Sequence, residues 1–441
     1  MRLFTVLLAA GLFAGTVTSG LAATSYVAPL GAKSACAKPD GSQKCPWMSV
    51  DQAIKSAKGG DTILLMDGTH GMLNINTSFD SMVTIKSQNG RNAHIEAANF
   101  TEPAKNIRLQ SLRVWRTGAE WNAFLIKAMQ RARQLEFDGL DVRSREDATN
   151  HLKWSAERWL SVAGYAFDLR GSGYIVRNNT ITGVRVGISA GYNSLVENNV
   201  VDGFCGDGLK GVGRSVFRNN LVKNRFKVDS FHADGFQAHT KTVLKDLTLD
   251  SNTFIEWAHP GSHPLRGYMQ GIGMFDGFYE DLLIQNNVIV SRASHGIAVY
   301  GVRRGKVLNN TLVSANGAPG KYPILRVRRH KDGRPSEDTL VANNIAMGFE
   351  GGNKATNFIF TNNQVIVDPS KVFMDVTKFD YLPKAASGFV DKGISEAPKT
   401  DLRSYKRPAG AAPDLGAYET GSVPSALRTA PMTMEAWIAR N

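Results

Sequence analysis

Tyr174-Ile175-Val176-Arg177-Asn178-Asn179-Thr180-Ile181 and, a little further on, Leu195-Val196-Glu197-Asn198-Asn199-Val200-Val201 are two copies of one unit: a short apolar run, an Asn-Asn pair, a second short apolar run. The pair recurs at Asn219-Asn220, Asn286-Asn287, Asn309-Asn310, Asn343-Asn344 and Asn362-Asn363, with Ser251-Asn252 standing in once. The first members are 20, 21, 32, 35, 23, 34 and 19 residues apart. The short intervals set a unit near 20, and the longer ones are that unit plus an inserted loop. A repeat of this size, made of strands and turns without helical spacing, is the signature of a parallel β-solenoid. One coil cannot bury its apolar face alone, so stacked coils share a continuous core. The expected architecture is all-β: a single right-handed parallel β-helix of roughly ten coils.

A third strand in each coil carries the functional argument. Six segments align without gaps: Val186–Gly191, Asp207–Val212, Asp234–His239, Gln270–Phe275, His295–Tyr300 and Pro323–Arg328. Side chains alternate between faces along a strand. The third and fifth columns are apolar and point inward. The second, fourth and sixth are then expected to point outward. The second is glycine in five of the six segments, which predicts a bare strip along the surface. The fourth and sixth hold Lys210, Gln237, Arg326, His239, Tyr300 and Arg328. Such a face suits an extended polymer.

The chain has 441 residues and a formal net charge of +13. Arg2, the apolar run Leu3–Val17 and small residues up to Ala22-Ala23 read as a secretory signal spanning 1–23. Its apolar core is short and interrupted, and no later segment is apolar enough to span a bilayer. The mature protein is expected in the periplasm or outside the cell, as a monomer. Its basic balance points to an anionic partner. No nucleic-acid-binding motif occurs, and an acidic polysaccharide fits the solenoid. Cys36 and Cys45 flank Lys38-Pro39-Asp40-Gly41, and export permits a disulfide between them. Cys205 reads as a small buried apolar side chain.

Within Pro46–Ala57, residues Val50, Ala53, Ile54 and Ala57 fall at helical spacing, with Ser49 as N-cap and Gly59-Gly60 as terminator. A short amphipathic helix at this point would cover the open end of the core. The β-helix is expected over 24–385 and a C-terminal cap and tail over 386–441, with the tail from Ser422 partly disordered. Tryptophans 154 and 159 sit in a polar stretch that reads either as a loop over the groove or as an anchored surface loop. The insertions Phe254–Tyr268 and Ser314–Tyr322 are further candidates for site loops.

The runs Ala57-Lys58-Gly59-Gly60-Asp61-Thr62-Ile63, Asp67-Gly68-Thr69-His70 and Val83-Thr84-Ile85-Lys86-Ser87-Gln88-Asn89-Gly90 resemble the opening of secreted right-handed β-helix proteins of the polysaccharide lyase type, the broad group with chondroitinase B-like and alginate lyase-like members. Ser387–Gly393 and Pro413-Asp414-Leu415-Gly416-Ala417-Tyr418-Glu419 resemble that group's closing motifs. The resemblance implies the fold and one of three reactions, elimination, hydrolysis or epimerisation. It carries no catalytic residue over.

The densest cluster of reactive side chains is Asp207 and Lys210 on one coil, with Asp229, His232, Asp234, Gln237 and His239 on the next. Strands on adjacent coils lie ~4.8 Å apart, so these groups fall within reach of one sugar. In β-elimination a base removes the C5 proton of a uronic acid whose carboxylate has been neutralised. Lys210 or His239 is the expected base, with His232 and Asp234 beside it. Arg266, or Ca²⁺ held by Asp207, Asp229 and Asp234, would neutralise the carboxylate. Hydrolysis would instead use two of the aspartates as acid and base. A C5-epimerase and a non-catalytic glycan-binding solenoid are the other readings. Gln237, Arg266, Tyr300, Arg326 and Arg328 are the expected substrate contacts. Arg326 and Arg328 lie four coils from Lys210, ~19 Å by the same spacing, so they would grip a distant sugar. Arg329, His330 and Lys331 extend that patch.

Overall fold

The structure, a computed structural model, describes residues 22–34, 36–118, 124–238, 240–351, 357–424 and 432–440. Most of the expected signal segment, and His239, lie outside these residues.

Three parallel ladders wind into a right-handed parallel β-helix. The first runs from Thr24–Val27 through Leu195–Glu197 to Phe358–Thr361. The second runs from Met72–Ile75 through Leu209–Lys210 to Gly348–Gly351. The third has 12 strands, from Gly68–Thr69 to Gln364–Val365, so the solenoid is somewhat longer than the Asn-Asn repeat alone predicts. The long strand Tyr165–Arg177 crosses the corner between the first two ladders and joins them into one sheet.

The Asn-Asn pair turns the chain from the first ladder into the third, and its two members do different work. The first is left-handed: Asn178, Asn198, Asn219, Ser251, Asn286, Asn309, Asn343 and Asn362 all have φ between 52° and 59°. Asparagine and serine enter that region at lower cost than bulky residues, because their short polar side chains bond locally. The second member points inward and stacks. Asn179 Nδ2 donates to Asn199 Oδ1, Asn199 to Asn220, Asn220 to Asn252, Asn252 to Asn287, Asn287 to Asn310, Asn310 to Asn344 and Asn344 to Asn363, at 2.8–3.0 Å. Each Oδ1 also accepts a backbone N–H from the coil before. This buried amide ladder satisfies the corner backbone, which water cannot reach.

Inside the ladders one core runs the length of the solenoid, with Phe137, Phe167, Leu209, Phe236, Ile272 and Ile297 fully buried. The helix Val50–Ser56 caps its N-terminal end. Ser49 Oγ accepts from Gln52 N, and Val50, Ala53 and Ile54 are buried. Cys36 and Cys45 are bridged, their Cα atoms 5.7 Å apart, and Cys205 is buried.

Three further segments take defined places. Trp154 and Trp159 follow the reading of an anchored loop. They are buried with Phe226, Trp257 and Cys205 in a separate aromatic cluster, because large apolar rings gain most by leaving water. Within the tail, the helix Met434–Arg440 takes a defined place. Residues 432–440 lay a helix along the first ladder, where Trp437 packs near Ile175 and Leu195 and its Nε1 donates to Asn193 O at 3.0 Å. The segment 389–419 packs on the third ladder: Asn309 Nδ2 donates to Asp414 O at 2.9 Å and Ala417 N to Thr311 Oγ1 at 2.9 Å. Its fixed point is the Arg407–Glu419 pair at 2.9 Å, both side chains fully buried.

Candidate functional site

The six-segment alignment is the register of the second ladder. Ser189, Lys210, Gln237, Gly273, Ala298, Arg326 and Glu350 are successive partners. The same line continues back through Asp168, Lys127, Asn99 and Asn74. One row of mainly polar residues therefore follows the whole helix.

The glycine column does not face outward. A Cβ on Gly208 would lie 2.4 Å from the Val222 side chain, one on Gly235 2.5 Å from Phe254, and one on Gly296 2.5 Å from Leu312. These are inward-pointing side chains of the third ladder. Gly235 and Gly271 lie inside the strands Ala233–Gln237 and Met269–Met274, so the two-residue alternation is interrupted within the strand itself. The polar residues stand ahead of the glycine in the first column, at Asp207, Asp234, Gln270 and His295. Gln270 and His295 were legible there as polar residues in the aspartates' column.

Asp207 and Lys210 form an ion pair, Oδ2 to Nζ, at 3.0 Å. Asp207 is fully buried, while the Lys210 side chain keeps 30% of its exposure. Asp207 Oδ1 accepts from Asp234 N at 3.0 Å. Asp234 is also fully buried, and neither of its carboxylate oxygens has a hydrogen-bond partner. Burial, reinforced by the charge of Asp207 and opposed by Lys210, pushes the Asp234 carboxyl up to about 8. It is therefore a neutral acid beside an ion pair at neutral pH. Gly273 on the next coil leaves room for it: a Cβ there would sit 3.0 Å from Asp234 Oδ1 and 2.8 Å from the Phe275 ring.

This predicts a pH-dependent stability. The folded carboxyl holds its proton up to about 8, the unfolded one only to 3.8. Between these values the folded state binds more protons, so stability falls as pH rises. Thermal melts of Asp234→Asn should lose most of that decline. An unchanged slope in the variant would remove Asp234 as its source.

The other expected residues separate. His232 is exposed and stacks on Phe231, ring centres 5.7 Å apart. Asp229 bonds Arg185 at 3.0 Å and Phe231 N at 3.0 Å, so Asp207, Asp229 and Asp234 do not meet at a point. With Asp207 already neutralised by an ammonium, this trio does not fit a calcium ion, which takes six to eight oxygens. Arg266 is not free for a substrate carboxylate. It pairs with the fully buried Glu256 at 3.3 Å, which Arg292 also holds at 2.5 Å. Arg292 in turn lies 4.6 Å from the ring centre of exposed Tyr268.

Further along the row, Phe275 packs edge-on against His295 and Tyr300, at 5.2 Å and 5.3 Å. Arg326 is 8% exposed and committed: it donates to Glu350 Oε2, to Ser294 O and toward His295 Nδ1, each at 2.9 Å. Arg328 also pairs with Glu350 but keeps half its side chain exposed. Tyr300, Arg328, Arg329, His330, Lys331 and Glu350 line a cavity of about 780 Å³. Arg328→Ala should therefore raise KM roughly tenfold, the value of a charged hydrogen bond, and leave kcat and stability nearly unchanged. Arg326→Ala should instead lower the melting temperature. Steady-state kinetics with melts on both variants check this, and a KM effect confined to Arg326 would reverse the assignment.

No protein-family model matches the sequence, and a comparison with characterised proteins likewise finds no match. Solved structures do. Among them are pectate lyase Pel9A (16% identity, 90% of this chain and 96% of that one, TM-score 0.46), the A-module of the mannuronan C-5 epimerase AlgE6 of Azotobacter vinelandii (15%, 71% and 91%, 0.45) and XylC in complex with xylose (10%, 91% and 99%, 0.50). The likeness is one of fold. The pectate lyase and the epimerase are parallel β-helix proteins of the polysaccharide lyase-like kind.

Proposed function

We propose that this protein cleaves an acidic, uronic-acid-containing polysaccharide by β-elimination. The observation that carries the reading is Lys210: a partly exposed ammonium group, held by buried Asp207, in the middle of a polar row long enough for many sugars. Lys210, after releasing its proton to solvent, takes the C5 proton, the C5–H electrons form the C4–C5 double bond, the C4–O bond breaks, and the resulting ammonium gives that proton to the leaving oxygen. Asp207 keeps Nζ in place throughout. His239, on the neighbouring coil in sequence, is proposed as the second group of this proton transfer. Arg328 and Arg329, toward the C-terminal end, hold the carboxylates of more distant sugars, in keeping with the net charge of +13. Export to the periplasm or medium, where such polymers occur, belongs to the same proposal.

A second reading, hydrolysis, draws on the neutral Asp234 beside Asp207, which resembles a glycosidase acid–base pair. Elimination is preferred because both carboxyl groups are fully buried, whereas the Lys210 side chain is partly exposed. Incubation with a panel of uronic-acid polymers separates the readings. Ultraviolet absorbance from a double bond conjugated to the carboxylate is expected. New reducing ends without that absorbance would establish hydrolysis. A changed ratio of C5 epimers without cleavage would establish epimerisation.

A further inference from the structure

Away from the second ladder, His151, Asp202 and His259 bring one ligating atom each to within 4.8 Å of one another, the only such trio among the described residues. They come from three parts of the chain. His151 lies in the short helix Glu146–Lys153, Asp202 on the third-ladder strand Val200–Phe204, and His259 in the inserted loop after Thr253–Ile255.

His151 is 4% exposed, and its Nδ1 lies 2.9 Å from Ala148 O, so Nδ1 carries a proton and donates it. In the neutral ring Nε2 is then a bare lone pair. That Nε2 is buried, has no hydrogen-bond partner, and faces Asp202 Oδ1 at 3.8 Å. A lone pair opposite a carboxylate needs a cation between them. Gly203, with φ of +77°, makes the approach possible, since a Cβ there would lie 2.6 Å from Nε2. Around this point Asn224 Nδ2 bridges Asp202 Oδ1 at 2.6 Å and His259 Nε2 at 3.2 Å, and Lys223 takes the other Asp202 oxygen at 3.1 Å.

We propose that His151 Nε2, Asp202 Oδ1 and His259 Nε2 form a binding site for a divalent transition metal, zinc being the best match. Two imidazoles and one carboxylate suit Zn²⁺, whereas Ca²⁺ and Mg²⁺ want oxygen alone. Zinc bonds of roughly 2.0–2.1 Å place ligand atoms roughly 3.3 Å apart in a tetrahedron, so the trio must draw in slightly. His259 is on a loop and can move, the ion replaces the Asn224 bridge, and water takes the fourth position. The bound ion ties both inserted segments to the solenoid wall. His263, whose Nε2 lies 2.9 Å from Leu152 O, already joins those segments nearby.

Chelator-treated full-length protein titrated with Zn²⁺ in a calorimeter tests this, with Co²⁺ as a visible probe. One Zn²⁺ per chain is expected, with a higher melting temperature and tetrahedral Co²⁺ absorption bands. His259→Ala, at a partly exposed position that should not disturb folding, should weaken binding at least 100-fold and abolish the bands; Asp202→Asn should do the same. Absence of binding to the native protein, or equal binding by native protein and His259→Ala, would overturn the proposal and leave a protonated His151 paired with Asp202 as the account of the trio.

Discussion

Lys210→Ala should lower kcat on an acidic polysaccharide by roughly 10²–10⁴-fold, the usual cost of losing a general acid or base. Binding should change far less, because the rest of the row is untouched. Lys210→Arg should rescue little. It keeps the positive charge beside Asp207 but cannot release a proton near neutral pH. That comparison separates a proton carrier from a mere counter-charge for Asp207, whose removal would leave two buried carboxyl groups side by side. Melting curves on both variants identify any loss that is only loss of fold. Full activity in Lys210→Ala would remove this residue from the chemistry.

The largest effect on stability is expected at the corner amides. Asn252 is fully buried and sits mid-stack. Its Oδ1 accepts from Asn220 N and Nδ2, and its Nδ2 donates to Phe217 O and Asn287 Oδ1. Alanine removes all four bonds and leaves several partners buried without replacements, each worth about 1–3 kcal/mol. A total of about 3–5 kcal/mol is expected by denaturant titration. Asn74, an exposed asparagine on the second ladder, is the control and should change stability by less than about 0.5 kcal/mol. Similar small losses at both positions would mean that the stack satisfies the corner without supporting it.

The repeat made the fold legible because each Asn-Asn pair answers two demands at once, a left-handed residue and a buried amide. Between Asn99 and Trp159 the repeat blurs, and the structure gives the reason. The same left-handed position is filled there by Ser111 and Gly139, followed by leucines 112 and 140 instead of asparagine. The backbone requirement persists while the amide stack begins only at Asn179, which accepts from Leu140 N. The Lys210–Gln237–Arg326 line was likewise legible, since gapless alignment of parallel coils is register.

The facing of the glycine column was not. Alternation is interrupted inside the strand, where glycines such as Gly235 and Gly271 and the residues after them both face the core. Nor could the sequence say that Arg266 and Arg326 are already paired, because Glu256 and Glu350 meet them only through loop folding and coil stacking. The His151–Asp202–His259 trio has no sequence signal at all. Its spacing matches no metal motif, and only the solenoid wall brings the three together.

The central claim is that the Lys210 row cuts acidic chains without adding water. Mass spectrometry of products from the uronic-acid polymer that the protein degrades tests it most directly. Elimination splits the chain into fragments whose masses sum to that of the parent, with the unsaturated sugar at the new non-reducing end. Fragments that together outweigh the parent by one water per cut, with saturated ends throughout, would contradict it.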